Sequence, residues 1–228
     1  MTDRLRIALA QLNPTVGAIA QNLALAKDTL RQAAAQNADI LLFSELFITG
    51  YFPDDLLFKP RFVADAMEAA EDFARATAGT NVTAIMPCVW QDGGKLFNAA
   101  LVCENGENIA RRFKRELPND DIFYEKRYFE RAELQEPVTI KGVSIGIPIC
   151  EDIWHPDVCA HLVDQGARLL LCPNGSPYWR NKQATRYKLV RDRVAEDNVP
   201  LLYLNQVGGQ DELVYDGASF AVEPGGRL

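Results

Sequence analysis

The sequence predicts a layered α/β fold. Short apolar runs alternate with longer segments of helical period, and no linker or low-complexity block interrupts the alternation. At 228 residues with 48% hydrophobic side chains, the chain is long enough to bury a substantial core, and it is read as one domain over residues 1–228. Residues 6–11 and 40–43 are apolar runs of strand length. Between them, residues 21–36 place Leu23, Ala26, Leu30, Ala33 and Ala34 on one face, which predicts a helix and a strand-helix-strand opening. A second helix is expected over 61–77, followed by strands at 82–89, 97–103 and 109–113. Asn105-Gly106 between the last two specifies a tight turn, because glycine accepts positive φ readily.

The second half repeats the pattern. Residues 138–140 and 143–149 flank a turn at Lys141-Gly142; the second run ends at Cys150, and a helix is expected over 156–165. A strand at 169–172, a helix over 182–197 and a strand at 201–205 follow. Residues 219–222 read as one more strand and Pro224-Gly225-Gly226 as a turn, with no partner strand before Leu228, as at the truncated edge of a domain.

Charge narrows the function. The formal net charge of -7 argues against a duplex-DNA binder, which needs a concentrated basic surface. The polar opening Met1–Arg6 leads into a strand, and no apolar run approaches the ~20 residues of a membrane helix. The expectation is a cytoplasmic protein acting on a small molecule, without nucleic acid or membrane as partner. Cys88, Cys103, Cys150, Cys159 and Cys172 are odd in number, and none makes a C-x-x-C pair, so a disulfide framework is not expected.

In α/β proteins, reactive groups gather where strands end. Glu45, Lys114 and Cys150 each follow an apolar run in this way. Cys150 reads either as a buried structural thiol or as a nucleophile whose pKa a helix N-terminus depresses. His155 is five residues on and reads as a solvated residue at a helix start, so a Cys/His pair is weak. A buried carboxylate serves equally as base, and a lysine serves to stabilise an oxyanion. Residue type alone leaves Glu45 open to a solvated loop position and Lys114 to the charge run Arg111-Arg112-Phe113-Lys114-Arg115. A zinc set of Cys150, His155, Cys159 and His161 matches no usual spacing, and no metal site is expected.

The wording around the three residues carries more. Ser44-Glu45-Leu46-Phe47-Ile48-Thr49-Gly50-Tyr51-Phe52-Pro53-Asp54-Asp55-Leu56-Leu57, then Lys114-Arg115-Glu116-Leu117-Pro118-Asn119, then Ile149-Cys150-Glu151-Asp152-Ile153-Trp154 resemble the Glu, Lys and Cys motifs of the nitrilase (carbon-nitrogen hydrolase) superfamily. Gln11-Leu12-Asn13-Pro14-Thr15-Val16-Gly17, Phe123-Tyr124-Glu125-Lys126-Arg127-Tyr128-Phe129 and the run from Asn205 to Gly217 are similar to the N-terminal glutaminase domains of glutamine-dependent NAD synthetases.

The resemblance implies an αββα sandwich that forms four layers and pairs with a second copy through its helices, hence a homo-oligomer. It implies Cys150 as nucleophile, Glu45 as general base and then acid, and Lys114 with the Glu151 backbone N–H as oxyanion donors. Glu125 would support the Glu/Lys arrangement, and Asp120, Glu151, Trp154, Ser176 and Lys182 would hold the substrate glutamine. The departures are Ser44 in place of a common Pro, Asp120 in place of a common Tyr, and Asn181-Lys182 in place of a common Gly-basic pair. No cofactor is implied for the glutaminase step; ATP and Mg are implied only for a C-terminal NAD synthetase domain, whose phosphate loop this sequence lacks. A free-standing amidase or nitrilase and a non-catalytic interaction module are the alternatives.

Overall fold

The computed structural model describes residues 4–120 and 122–228. Met1 to Asp3, read above as the start of a polar lead-in, lie outside the described residues. Strand β1 (Ile7–Ala10), helix α1 (Ile19–Ala35), strand β2 (Ile40–Phe43), helix α2 (Pro60–Ala76) and strand β3 (Thr83–Asp92) form the expected crossovers, with both strand pairs parallel. Strands β4 (Lys95–Glu104) and β5 (Glu107–Phe113) extend this first sheet antiparallel, in the order β1-β2-β3-β4-β5. The Asn105-Gly106 turn has positive φ at both residues, as a two-residue hairpin requires for its twist to match the strands.

The second sheet repeats the plan. Strands β6 (Val138–Ile140) and β7 (Val143–Gly146) form a hairpin; helix α3 (Pro156–Asp164), strand β8 (Leu169–Asn174), helix α4 (Lys182–Asp197) and strand β9 (Leu201–Asn205) complete two parallel crossovers. A separate hairpin, β10 (Val207–Gln210) with β11 (Leu213–Asp216), follows.

Alternation along the strands stacks the layers. In β2, Leu41 and Phe43 pack among α1 and α2 side chains such as Leu30 and Phe73, whereas Ile40 and Leu42 face the second sheet. In β8, Leu169 and Leu171 meet them from the other side, while Leu170 and Cys172 pack on Val190 and Val194 of α4. The order is therefore helix, sheet, sheet, helix, the αββα sandwich that the resemblance implies. Continuous burial of Ile40-Leu41-Leu42-Phe43 is the consequence of lying between two layers.

Two expectations need correction. The tail strand, β12 (Phe220–Val222), has a partner: it pairs antiparallel with β9, Phe220 opposite Tyr203 and Val222 opposite Leu201. Its partner lies across the Val207–Asp216 hairpin, so nothing local in the sequence signals the pairing. The run 143–149 is also not one strand. Pairing with β8 ends at Gly146, and a short 3-10 helix, Cys150–Trp154, starts at the cysteine, before α3.

Candidate active site

Glu45, Lys114 and Glu125 come from three separate chain segments and meet in a wholly buried cluster. Glu45 lies two residues beyond β2, Lys114 directly beyond β5, and Glu125 opens a 3-10 turn, Glu125–Arg127. The Lys114 Nζ donates to Glu45 Oε1 at 2.7 Å and to Glu125 Oε1 at 2.8 Å. Asn98 Nδ2 also donates to Glu45 Oε1, at 2.8 Å, and the Gly175 backbone N–H to Glu45 Oε2, at 2.9 Å. The Tyr51 hydroxyl donates to Glu125 Oε1 at 2.9 Å, while Glu125 Oε2 has no partner among the described residues.

The charges explain why the cluster tolerates burial. Burial works to lower the pKa of Lys114, but Glu125 and Glu45 outweigh it and hold the ammonium well above its ordinary value. Burial pushes Glu125 up from the ordinary carboxylate range, against the opposing pull of Lys114. An ammonium has three hydrogens, and two of them are engaged by carboxylates, which leaves one for a further acceptor.

Cys150 begins its 3-10 helix at φ +48°, a conformation that side-chain-bearing residues rarely take and that costs on the order of 1 kcal/mol. Its buried thiol is close enough to Glu45 and Lys114 to be coupled to both electrostatically. The expected depression of its pKa is not found. Burial pushes the thiol well above its ordinary value, Glu45 adds to this, and Lys114 offsets only part. The helix that starts here is one short turn, and its dipole is too small to reverse the desolvation.

Asp152 ties the cysteine turn to the lysine loop. Its Oδ2 accepts from the Ile149 N–H at 2.8 Å, and its Oδ1 from the Glu116 N–H at 2.7 Å and the Arg115 N–H at 3.1 Å. Burial raises its pKa to about 6 in spite of these donors. The acidic Glu151-Asp152 pair is plain in the sequence, but the span to Arg115 and Glu116 is not.

The remaining sequence-nominated residues divide. Glu151 is partly buried and raised in pKa by burial. Lys182, buried at the start of α4, lies with its Nζ 4.7 Å from the ring centre of Trp154. Ser176 is buried in the loop after β8, where Arg186 Nε donates to its hydroxyl at 3.2 Å and Asn205 bonds both its backbone N–H and its carbonyl. Asp120 is exposed and outside the buried cluster. His155 is exposed, with Nε2 3.9 Å from Glu151. Among the described residues, no group of three or more His, Cys, Asp or Glu side chains is placed to hold a metal ion.

Sequence reasoning missed Tyr51, Asn98, Asp152, Arg186 and Asn205. Arg186, fully buried, donates to the carbonyls of Ser176 and Pro177 and bridges to Asp216 at 2.7 Å, so it pins the 175–177 loop to β11. A polar or charged side chain on the core face of a predicted helix was the available signal.

The chain that carries this buried cysteine and Glu–Lys–Glu cluster is similar to known proteins over nearly its whole length. Residues 6–228 match the carbon-nitrogen hydrolase family. This chain belongs to that family. As a carbon-nitrogen hydrolase, it is 46% identical over its whole length to a glutamine-dependent NAD(+) synthetase of Rhodobacter capsulatus, covering 41% of that protein. It is 43% identical to one of Xanthomonas campestris pv. campestris, over 98% of this chain and 41% of the relative.

The glutamine-dependent NAD+ synthetase of Acinetobacter baumannii, solved with ADP, superposes with a TM-score of 0.93 at 32% identity, over 98% of this chain and 42% of that one. A mutant amidase from Nesterenkonia sp. AN1, with the acetamide moiety of fluoroacetamide added covalently at its active-site cysteine, gives 0.85 at 26% identity, over 98% and 84%. This carbon-nitrogen hydrolase chain thus spans about two fifths of the length of the curated relatives it matches.

Proposed function

We propose that this chain hydrolyses the side-chain amide of glutamine through a Cys150 thioester and supplies the ammonia to a C-terminal NAD synthetase domain, which amidates deamido-NAD with ATP and Mg. The observation that carries the chemistry is the wholly buried Lys114 held by Glu45 and Glu125, with the Cys150 thiol coupled to it. The choice of glutamine is supported by the glutamine-dependent synthetases that match 98% or more of the chain.

Because burial keeps the thiol protonated, attack and proton transfer belong to one step: Glu45 takes the Sγ proton as sulfur bonds the amide carbon. The negative charge moves to the amide oxygen, where the unengaged Lys114 hydrogen and the Glu151 backbone N–H receive it. Glu45 then returns its proton to the leaving nitrogen, the C–N bond breaks, and ammonia departs. Water, deprotonated by Glu45, attacks the thioester; glutamate leaves and the thiol recovers its proton. Asn98 and the Gly175 N–H hold both oxygens of Glu45 through the cycle. In this reading Lys182 and Trp154, which contact each other, receive the far end of glutamine.

The direct test is ammonia release from glutamine, with the reaction quenched for intact-mass measurement. Wild-type protein should accumulate a glutamyl adduct, and Cys150→Ala should lose roughly 10⁴-fold or more in rate and show no adduct. Equal rates would reject the assignment. Much faster turnover of other small amides would favour the amidase reading instead. Pairing with a second copy through the helical layer, in a cytoplasmic enzyme, belongs to the same proposal; sedimentation at micromolar concentration checks the assembly.

A further inference from the structure

The site holds two buried lysines in opposite ways. Lys114 is bridged to two carboxylates. Lys182 is only 4% exposed, yet it has no carboxylate within salt-bridge distance among the described residues. What holds it is aromatic: its Nζ lies 3.2 Å from the ring centre of Trp179 and 4.7 Å from that of Trp154. The local backbone makes this possible. The Lys182 N–H donates to the Trp179 carbonyl at 3.0 Å, with Asn181 between them at φ +69°, and this turn folds the indole back over the ammonium. Asn181, like the glycine it replaces in the family pattern, is among the residues that take such a φ most easily. Trp179 itself is 45% exposed, so it caps the ammonium from the solvent side.

An indole face attracts a cation without neutralising it. A carboxylate partner would cancel the charge and compete with any anion that approached. We propose that Trp179 is a positioning residue that docks the Lys182 ammonium against Trp154 and keeps it uncompensated, so that the site selects amides carrying a carboxylate over neutral ones. This rests on the glutamine reading above, and it sets an expected preference of the same buried machinery for glutamine over simple aliphatic amides. The groups facing Lys182 are Cys150 and Glu151 from the cysteine turn and Arg186 from its own helix. Burial lowers its pKa to about 8, Arg186 adds to the fall, Cys150 and Glu151 offset only part of it, and the group remains mostly charged at neutral pH.

The test compares kcat and KM for L-glutamine and for butyramide, which lacks both the carboxylate and the amine, in wild-type protein, Trp179→Ala and Trp179→Phe. At pH 7, Trp179→Ala should raise the glutamine KM about tenfold with kcat within about twofold, Trp179→Phe should recover most of the loss, and butyramide kcat/KM should not change. In wild-type protein the glutamine KM should rise as pH passes about 8, where Lys182 loses its proton, and the butyramide KM should not follow. An unchanged glutamine KM in Trp179→Ala, or equal losses on both amides, would overturn the inference and leave the glutaminase reading intact. A wild-type protein that turns over butyramide as well as glutamine would overturn both. Matching Tm values for the three proteins exclude misfolding as the cause of a difference.

Discussion

Lys114 is where burial and charge oppose each other most directly. A solvent-free ammonium is strongly unfavourable by itself, and two carboxylates at 2.7 and 2.8 Å reverse the balance. Removing the lysine reverses it again, because Glu45 and Glu125 would then face one another without a cation. At pH 8, above the raised value of Glu125, Lys114→Met should therefore destabilise the protein by about 3–5 kcal/mol and abolish ammonia release together. Urea unfolding and the glutaminase assay check the two effects. A variant as stable as wild type would mean that the carboxylates are not both ionised around Lys114. The residue scale is also where sequence was least informative, since Lys114 lies in a run of cations whose other members stay near the surface.

At the scale of elements, the site depends on loops that leave different strands yet are bonded to each other. Asp152 is the bond between the cysteine turn and the segment after β5. Asp152→Ala would leave the N–H groups of Ile149, Arg115 and Glu116 without their acceptor and should cost about 2–3 kcal/mol. The expected kinetic consequence is a fall in kcat larger than any change in KM, because Lys114 adjoins Arg115 and would shift relative to Cys150. A loss confined to KM would show that the Asp152 bridge does not set that geometry. The resemblance named the two loops it joins, while the bridge needed their spatial arrangement. The same holds for Gly175, whose N–H orients Glu45: a Cβ there would approach within 2.6 Å of the Tyr51 ring, a constraint between segments more than a hundred residues apart.

For the whole molecule, the cluster makes stability depend on pH. Glu125 is pushed by burial, against the pull of Lys114, from 4.5 to about 7. Between those values the folded protein keeps a proton that the unfolded chain has released, so this group lowers stability as pH rises through that window. Glu125→Gln removes the titration. The Tm of wild type relative to Glu125→Gln should fall between pH 4.5 and 7, and a difference constant over that range would show that Glu125 does not titrate there.

The sequence by itself determined a layered α/β class, ten of the twelve described strands to within about three residues, the four main helices and the order of the motifs, whose family resemblance supplied the αββα order. These follow from periodicity, turn chemistry and local wording, all of which act over a few residues. Tertiary structure decided the rest. The β12–β9 pairing, the meeting of Glu45, Lys114 and Glu125, the raised pKa of Cys150 and the indole clamp on Lys182 all depend on which segments share a buried space. Desolvation and charge coupling are set by that space, and residue order carries no measure of either.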